Sequence, residues 1–69
     1  MQVNVRFRPR RQEDRAVEVP EGATAADVVQ AVGEPLDVIV VVRAGVPIAE
    51  DSPVVDGEEL LLLSAASGG

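Results

Sequence analysis

One stretch of the chain has the spacing of an amphipathic helix, and strand-like segments lie on both sides of it. Its apolar residues recur at helical intervals and are Ala25, Val28, Val29 and Val32. Thr24 stands where an N-cap residue belongs, with Asp27 in the position of the capping-box acid. Gly33 and Pro35 predict the end of the helix after about nine residues. Valine is a poor helix former, so packing must hold this helix in place.

The segment before the helix alternates between apolar and polar residues in two runs. Val3, Val5 and Phe7 alternate with polar neighbours, and Pro9 ends this first run. The second run covers residues 15–19 and follows a polar loop. The two runs predict two half-buried strands joined as a hairpin.

The segment after the helix contains two further strand patterns. Residues 38–42 are β-branched throughout, and Ala44-Gly45 predicts a turn after them. Residues 46–48 include a proline, which predicts a short edge strand at most. The last strand is predicted over residues 58–64. The predicted order is ββαββ, an α+β domain with at most a small fifth strand.

The composition excludes several classes of function. A chain of 69 residues forms one domain with a thin core, and an active-site cleft of ordinary size is hard to fit into it. The absence of cysteine and histidine excludes a thiol nucleophile, an imidazole base, a disulfide and the usual zinc site. No stretch is apolar for long enough to cross a bilayer, and the first residues do not form a secretory signal. We therefore expect a cytoplasmic protein without a metal site.

The charges are distributed unevenly along the chain. The net charge is −6, which argues against non-specific binding of nucleic acid. All six basic residues are arginine, and all except Arg43 lie within the first fifteen residues. A phosphate-rich partner would suit this cluster, but we favour a solvated hairpin end.

The chain ends in small residues that carry no charged side chain. The last six are serine, alanine, alanine, serine and the pair Gly68-Gly69. A glycine pair fits a slot too narrow for other residues and leaves the terminal carbonyl open to attack. The terminal carboxylate is ionised at neutral pH, because its pKa is about 3.5. We predict a domain of residues 1–64 and a flexible tail of residues 65–69, and a frayed terminus with an incidental glycine pair is the alternative.

The predicted order and three segments resemble the ubiquitin-like β-grasp sulfur carriers and small modifiers of the ThiS/MoaD superfamily. The segments are residues 42–48, 56–60 and 63–69. The ending is most similar to the tRNA 2-thiolation carrier, and the chain also resembles the small archaeal modifier proteins. Eukaryotic ubiquitin is less similar, since no arginine precedes the glycine pair and lysine is missing. The resemblance implies a mixed sheet with one helix packed on one face.

The same resemblance implies a chemical role for Gly69 and Gly68. The carboxylate of Gly69 would be adenylated by an ATP-dependent activating enzyme. It would then become a thiocarboxylate for tRNA thiolation or for thiamin or molybdopterin synthesis, or form an isopeptide bond with a lysine of a target protein. The protein would be a substrate and not an enzyme, with no bound cofactor, because the partner uses the ATP.

The implied partners are the activating enzyme and a sulfur-accepting enzyme or target lysines, with no direct contact to nucleic acid or membrane. The sulfur pathway stays open. A β-grasp interaction module with an incidental Gly-Gly end is the alternative function.

Two predicted strands contain a run that is apolar on both faces, over residues 38–42 and 60–63, so one side of each run must face away from the helix. When this chain is aligned with the pattern of ubiquitin, the residues that face the helix are Ile39, Val41, Leu60 and Leu62. The residues left on the open face are Val40, Val42, Leu61 and Leu63. Contiguous exposed apolar area usually marks an interface, so we predict that these four residues dock the activating enzyme. A merely β-prone surface or a face covered by self-association is the alternative.

Overall fold

The computed structural model describes residues 1–64, which form a mixed five-stranded sheet covered on one face by one helix. The strands are β1 (Gln2–Arg8), β2 (Arg15–Glu18), β3 (Ile39–Arg43), β4 (Val46–Ile48) and β5 (Glu59–Ser64), and the helix is α1 (Ala25–Ala31). The sheet order is β2-β1-β5-β3-β4. The pair β1–β5 is parallel and the other pairs are antiparallel. The predicted α+β, β-grasp fold is confirmed, and the predicted tail lies outside the described residues.

Helix α1 begins at the capping box that the sequence predicts. The hydroxyl of Thr24 accepts the backbone N–H of Asp27, and the Asp27 carboxylate accepts the backbone N–H of Thr24 at 2.9 Å. The helix covers seven residues instead of about nine, because the backbone already leaves the helical conformation at Val32. Gly33 follows with a φ of 76°, the left-handed conformation that ends many helices.

The core lies between the sheet and α1 and is built from small aliphatic side chains. Ala25, Val28 and Val29 of the helix are fully buried. The sheet contributes Val3, Val5, Leu60 and Leu62, also fully buried. Each buried valine or leucine contributes about 1.5–3 kcal/mol, so a core with one aromatic residue still offsets the chain entropy.

One short segment differs from the sequence prediction, and another confirms the short edge strand. Leu36–Val38 forms a 3₁₀ turn, in which the N–H of Val38 donates to the carbonyl of Pro35, so β3 begins at Ile39 and not at Val38. Residues 46–48 do form β4, at the edge of the sheet. An edge strand has one unpaired side, which is why it tolerates Pro47.

Candidate docking surface and tail attachment

Residues 65–69, which are predicted to form the tail, follow a central strand of the sheet. Strand β5 ends at Ser64 and has β1 on one side and β3 on the other. Leu63 lies beside Arg8 of β1, and Ser64 lies opposite Ile39 of β3. We call this end of the sheet, marked by Arg8, Ile39 and Ser64, the tail end, and we call the end where β5 begins the far end. Gly68 and Gly69, the residues predicted to be activated, lie outside the described residues.

The predicted inward and outward sides of β3 and β5 are the observed ones. Leu60 and Leu62 are fully buried, Val41 is 3% exposed, and Ile39 packs against the same core. Successive side chains of a strand point to opposite faces, so the other four residues face away from α1. They form two neighbouring pairs, Val40 with Leu63 and Val42 with Leu61.

The four outward residues are not equally accessible. Val40, Leu61 and Leu63 are half-buried, whereas Val42 is only 8% exposed. Val42 lies in a concavity of about 190 Å³ that Leu61, Arg6 and Arg8 also line. The expectation that Val42 offers exposed apolar area is therefore wrong, because its neighbours cover it. We define the open-face patch as Val40, Leu61 and Leu63, with Val42 beneath it.

Two arginines of β1 border the open-face patch. The parallel pairing places Arg6 beside Leu61 and Arg8 beside Leu63. The Nε atom of Arg6 lies 3.7 Å from the Asp14 carboxylate, and Arg8 makes no ion pair within residues 1–64. Sequence analysis assigned these arginines to a solvated hairpin end and did not place them at the patch. The alternation of β1 predicts that both arginines lie on the face opposite its buried valines. Their contact with β5 could not be predicted, because β1 and β5 are far apart in the sequence.

The loop that follows β1 is fastened to the end of the helix. Arg11 forms an ion pair with Glu34 at 3.0 Å, and its guanidinium lies 5.8 Å from the centre of the Phe7 ring. The side-chain amide of Gln12 donates to the carbonyl of Val32 at 2.8 Å. These contacts occupy Arg11 and hold the loop in place beside the tail end.

Nothing in the described part of the chain has the geometry of a metal site or a membrane anchor. No group of three or more acidic side chains within residues 1–64 could hold a metal ion. No helix in the same range is long and apolar enough to cross a membrane.

A mixed β-grasp sheet whose central strand leads directly into the C-terminal tail defines a ubiquitin-like protein. The chain belongs to the ThiS family, whose model matches residues 1–69. This match places it among the small ubiquitin-like carriers and modifiers, as the resemblance implies.

Two solved structures share this fold over the whole chain. One is SAMP1 from Haloferax volcanii, with a TM-score of 0.75, 24% sequence identity and complete coverage of both chains. The other is a ubiquitin from Caldiarchaeum subterraneum, with a TM-score of 0.73, 19% identity and coverage of 100% of this chain and 98% of that one. At these identities the likeness establishes the fold alone. No curated protein sequence matches the chain significantly.

Proposed function

We propose that this protein is a sulfur carrier whose C-terminal carboxylate, on Gly69, is activated by an ATP-dependent adenylating enzyme. A carboxylate oxygen attacks the α-phosphorus of ATP and pyrophosphate leaves. Hydrosulfide then attacks the carbonyl carbon of the adenylate and displaces AMP, which leaves a thiocarboxylate. The observation that carries the proposal is the family match over all 69 residues, including the Gly68-Gly69 pair. The partner supplies the catalysis, so this protein acts as a substrate and not as an enzyme.

The position of the tail supports this role. Strand β5 is paired on both sides, so the tail starts from a rigid point at Ser64. Five residues in an extended conformation span about 17 Å. That reach is enough to bring a carboxylate into a partner's ATP site while the folded domain stays outside. The glycine pair suits the narrow passage that such a site requires.

The open-face patch is our candidate for the surface that the activating enzyme holds. Leu63 belongs to the patch and is the last residue but one before the tail. A partner that grips Val40, Leu61 and Leu63 therefore controls the direction in which the tail leaves. Exposed contiguous apolar area of this kind usually marks an interface.

Several finer assignments belong to the same proposal. Among the sulfur pathways we favour tRNA thiolation, because the closing residues are most similar to that carrier, with thiamin and molybdopterin synthesis as the other two. A lysine amine of a target protein can take the same activated carboxylate, which would make the protein a modifier as well. We propose a cytoplasmic location, since the activating enzyme needs ATP. An interaction module with an incidental glycine pair is the competing function.

Mass spectrometry of the intact protein tests the proposal. The purified chain is incubated with ATP, a sulfur donor and the activating enzyme from the same genome. We expect an adenylate, followed by the replacement of one oxygen by one sulfur. The matched control lacks Gly69 and should remain folded and unmodified. A thiocarboxylate on the truncated protein, or none on the complete one, would contradict the proposal.

A further inference from the structure

The fold separates the charges of the chain between the two ends of the sheet. Arg15, at the start of β2, is level with Val5 in the middle of β1. Four arginines lie toward the tail end, on β1 and on the loop after it, and they are Arg6, Arg8, Arg10 and Arg11. Four acidic residues accompany them there, and they are Glu13, Asp14, Glu34 and Asp37. The other eight acidic residues lie toward the far end, with Arg43 as their one arginine. The charged side chains at the tail end thus nearly balance, and most of the net charge of −6 lies toward the far end.

Backbone hydrogen bonds place the acidic segment of residues 50–58 at the far end. The N–H of Asn4 donates to the carbonyl of Glu58 at 2.8 Å, and the N–H of Gly57 donates to the carbonyl of Gln2 at 2.7 Å. The N–H of Ala26, at the start of α1, donates to the carbonyl of Glu50 at 2.8 Å. The start of β1 and the start of α1 therefore share one acidic end of the molecule, opposite the tail.

Only two of the five arginines that precede the helix in the chain border the open-face patch. Arg10 lies in the loop, 4.0 Å from Glu13, and Arg11 is occupied by Glu34. Arg15 pairs with Val5 and lines a second concavity with Arg6 and Glu59, to which no residue of the open-face patch contributes. Arg6 and Arg8 instead share the concavity with Val42 and Leu61. Glu59 also lines this concavity, so two positive charges and one negative charge lie around its apolar residues.

We propose that the partner surface which receives this protein is apolar at its centre and carries carboxylates along the side that faces β1, where Arg6 and Arg8 meet them. This proposal rests on the proposed function for the identity of the partner, the activating enzyme. Such a surface attracts Arg6 and Arg8 and repels the acidic far end, so encounters in which the open-face patch leads are favoured. A second copy of this chain is a poor occupant, because it brings two further arginines to the same place.

The test compares charge reversals at Arg8 and at Arg15, which change the net charge equally. Arg15 is the control because it lies on the edge strand β2, separated from β5 and the patch by β1. The measured quantity is the KM for this protein in ATP–pyrophosphate exchange by the activating enzyme. We expect Arg8→Glu to raise KM about tenfold at low salt with kcat unchanged, and Arg15→Glu to change it less than about threefold. Arg8→Lys should keep most of the affinity, and Arg8→Gln should lie between the two. The effect of Arg8→Glu should shrink near 0.5 M salt, roughly, as screening weakens the contact.

The outcomes separate this proposal from the proposed function. If the wild-type protein is activated but Arg8→Glu and Arg15→Glu behave alike, the acidic docking surface is wrong and the carrier function stands. If the wild-type protein is not activated at all, both fail. If bare tRNA binds the wild-type protein and Arg8→Glu abolishes that binding without raising KM, the arginines serve a phosphate partner and our proposal is overturned.

Discussion

Ala44 has a backbone conformation that an alanine side chain disfavours. It forms a two-residue turn with Gly45 between β3 and β4, and the φ angles are 51° and 82°. Positive φ at both positions is the mark of a type I′ turn, in which asparagine or glycine is preferred at the first position. A left-handed alanine costs about 1 kcal/mol, because its Cβ crowds the following carbonyl oxygen.

We therefore expect Ala44→Asn to raise the free energy of unfolding by about 0.5–1 kcal/mol. Ala49 provides the matched control, since it is also exposed but does not have a positive φ. Ala49→Asn should change stability by less than about 0.5 kcal/mol. Urea unfolding followed by circular dichroism measures both variants. A loss of stability in Ala44→Asn would show that the turn is not strained at this position.

The amines of this chain are poor acceptors for its own activated carboxylate. Lysine is absent from the sequence. The α-ammonium group of Met1 donates to the Glu18 carboxylate at 2.8 Å and to the carbonyl of Val19 at 2.9 Å. The hydrogen bond to Glu18 raises the pKa of the Met1 amine, so the amine stays protonated at neutral pH and is a weak nucleophile.

If the protein also modifies targets, we expect single additions to each target lysine and no chains. Peptide mass spectrometry of conjugates measures this directly. A glycine–glycine remnant on Met1 or on any interior residue of this protein would contradict the expectation. Replacing Glu18 by glutamine should lower the pKa of the amine and is the variant in which head-to-tail products would first appear.

Strand β5 has four consecutive leucines in two different environments. Leu60 and Leu62 are fully buried against α1, whereas Leu61 and Leu63 are half-buried on the open face. A chain of this size has a total stability of only about 3–5 kcal/mol. A charge at a fully buried position costs more than about 4 kcal/mol, so one such substitution removes most or all of that stability.

We expect Leu62→Asp to unfold the domain and Leu63→Asp to leave it folded while weakening binding to the activating enzyme. The new carboxylate at position 63 would lie beside Arg8 and would also repel the acidic partner surface that we propose. Circular dichroism reports folding, and the KM for activation reports binding. Unfolding by Leu63→Asp together with tolerance of Leu62→Asp would show that the two sides of β5 are reversed. Val42→Asp, at a buried position, is expected to destabilise the fold as well.

The sequence predicts a helix or strand well when the residues that determine it are neighbours in the chain. The capping box of Thr24 and Asp27 and the alternation of β1 require only neighbouring residues, and both are observed. The start of β3 was predicted at Val38, because a run of β-branched residues does not reveal that Val38 hydrogen-bonds to the carbonyl of Pro35. The strand prediction therefore includes one residue too many.

The docking surface was predicted less completely, because it depends on contacts between distant parts of the chain. The sides of β3 and β5 came from the resemblance to ubiquitin, and burial agrees with them. Arg6 and Arg8 line one concavity with Val42 because β5 pairs with β1 on one side and β3 on the other, and no local sequence pattern predicts this pairing. Sequence reasoning thus found the apolar residues of the surface but missed the arginines that border it.

The whole molecule combines an acidic far end with a tail end whose charges nearly balance. Salt should act in opposite directions on the stability of the fold and on binding through Arg6 and Arg8. At the far end, Glu21, Glu50, Asp51 and Glu59 make no ion pair within residues 1–64. Their mutual repulsion destabilises the folded state and is screened by salt. The contact between the arginines and an acidic partner is attractive and is weakened by the same screening.

We therefore expect the midpoint of thermal unfolding to rise between about 20 mM and about 500 mM NaCl, while the KM for activation rises over the same range. Two charge reversals of equal size distinguish the effect of charge at the far end from its effect at the tail end. Glu50→Lys relieves repulsion among the acids of the far end and should stabilise the fold by about 0.3 kcal/mol at low salt. Glu13→Lys, beside Arg10 at the tail end, should give no gain, and salt should abolish the difference between the two variants. If both variants stabilise the fold equally, the repulsion depends on the net charge of the whole protein. It would then not depend on the concentration of acidic residues at the far end.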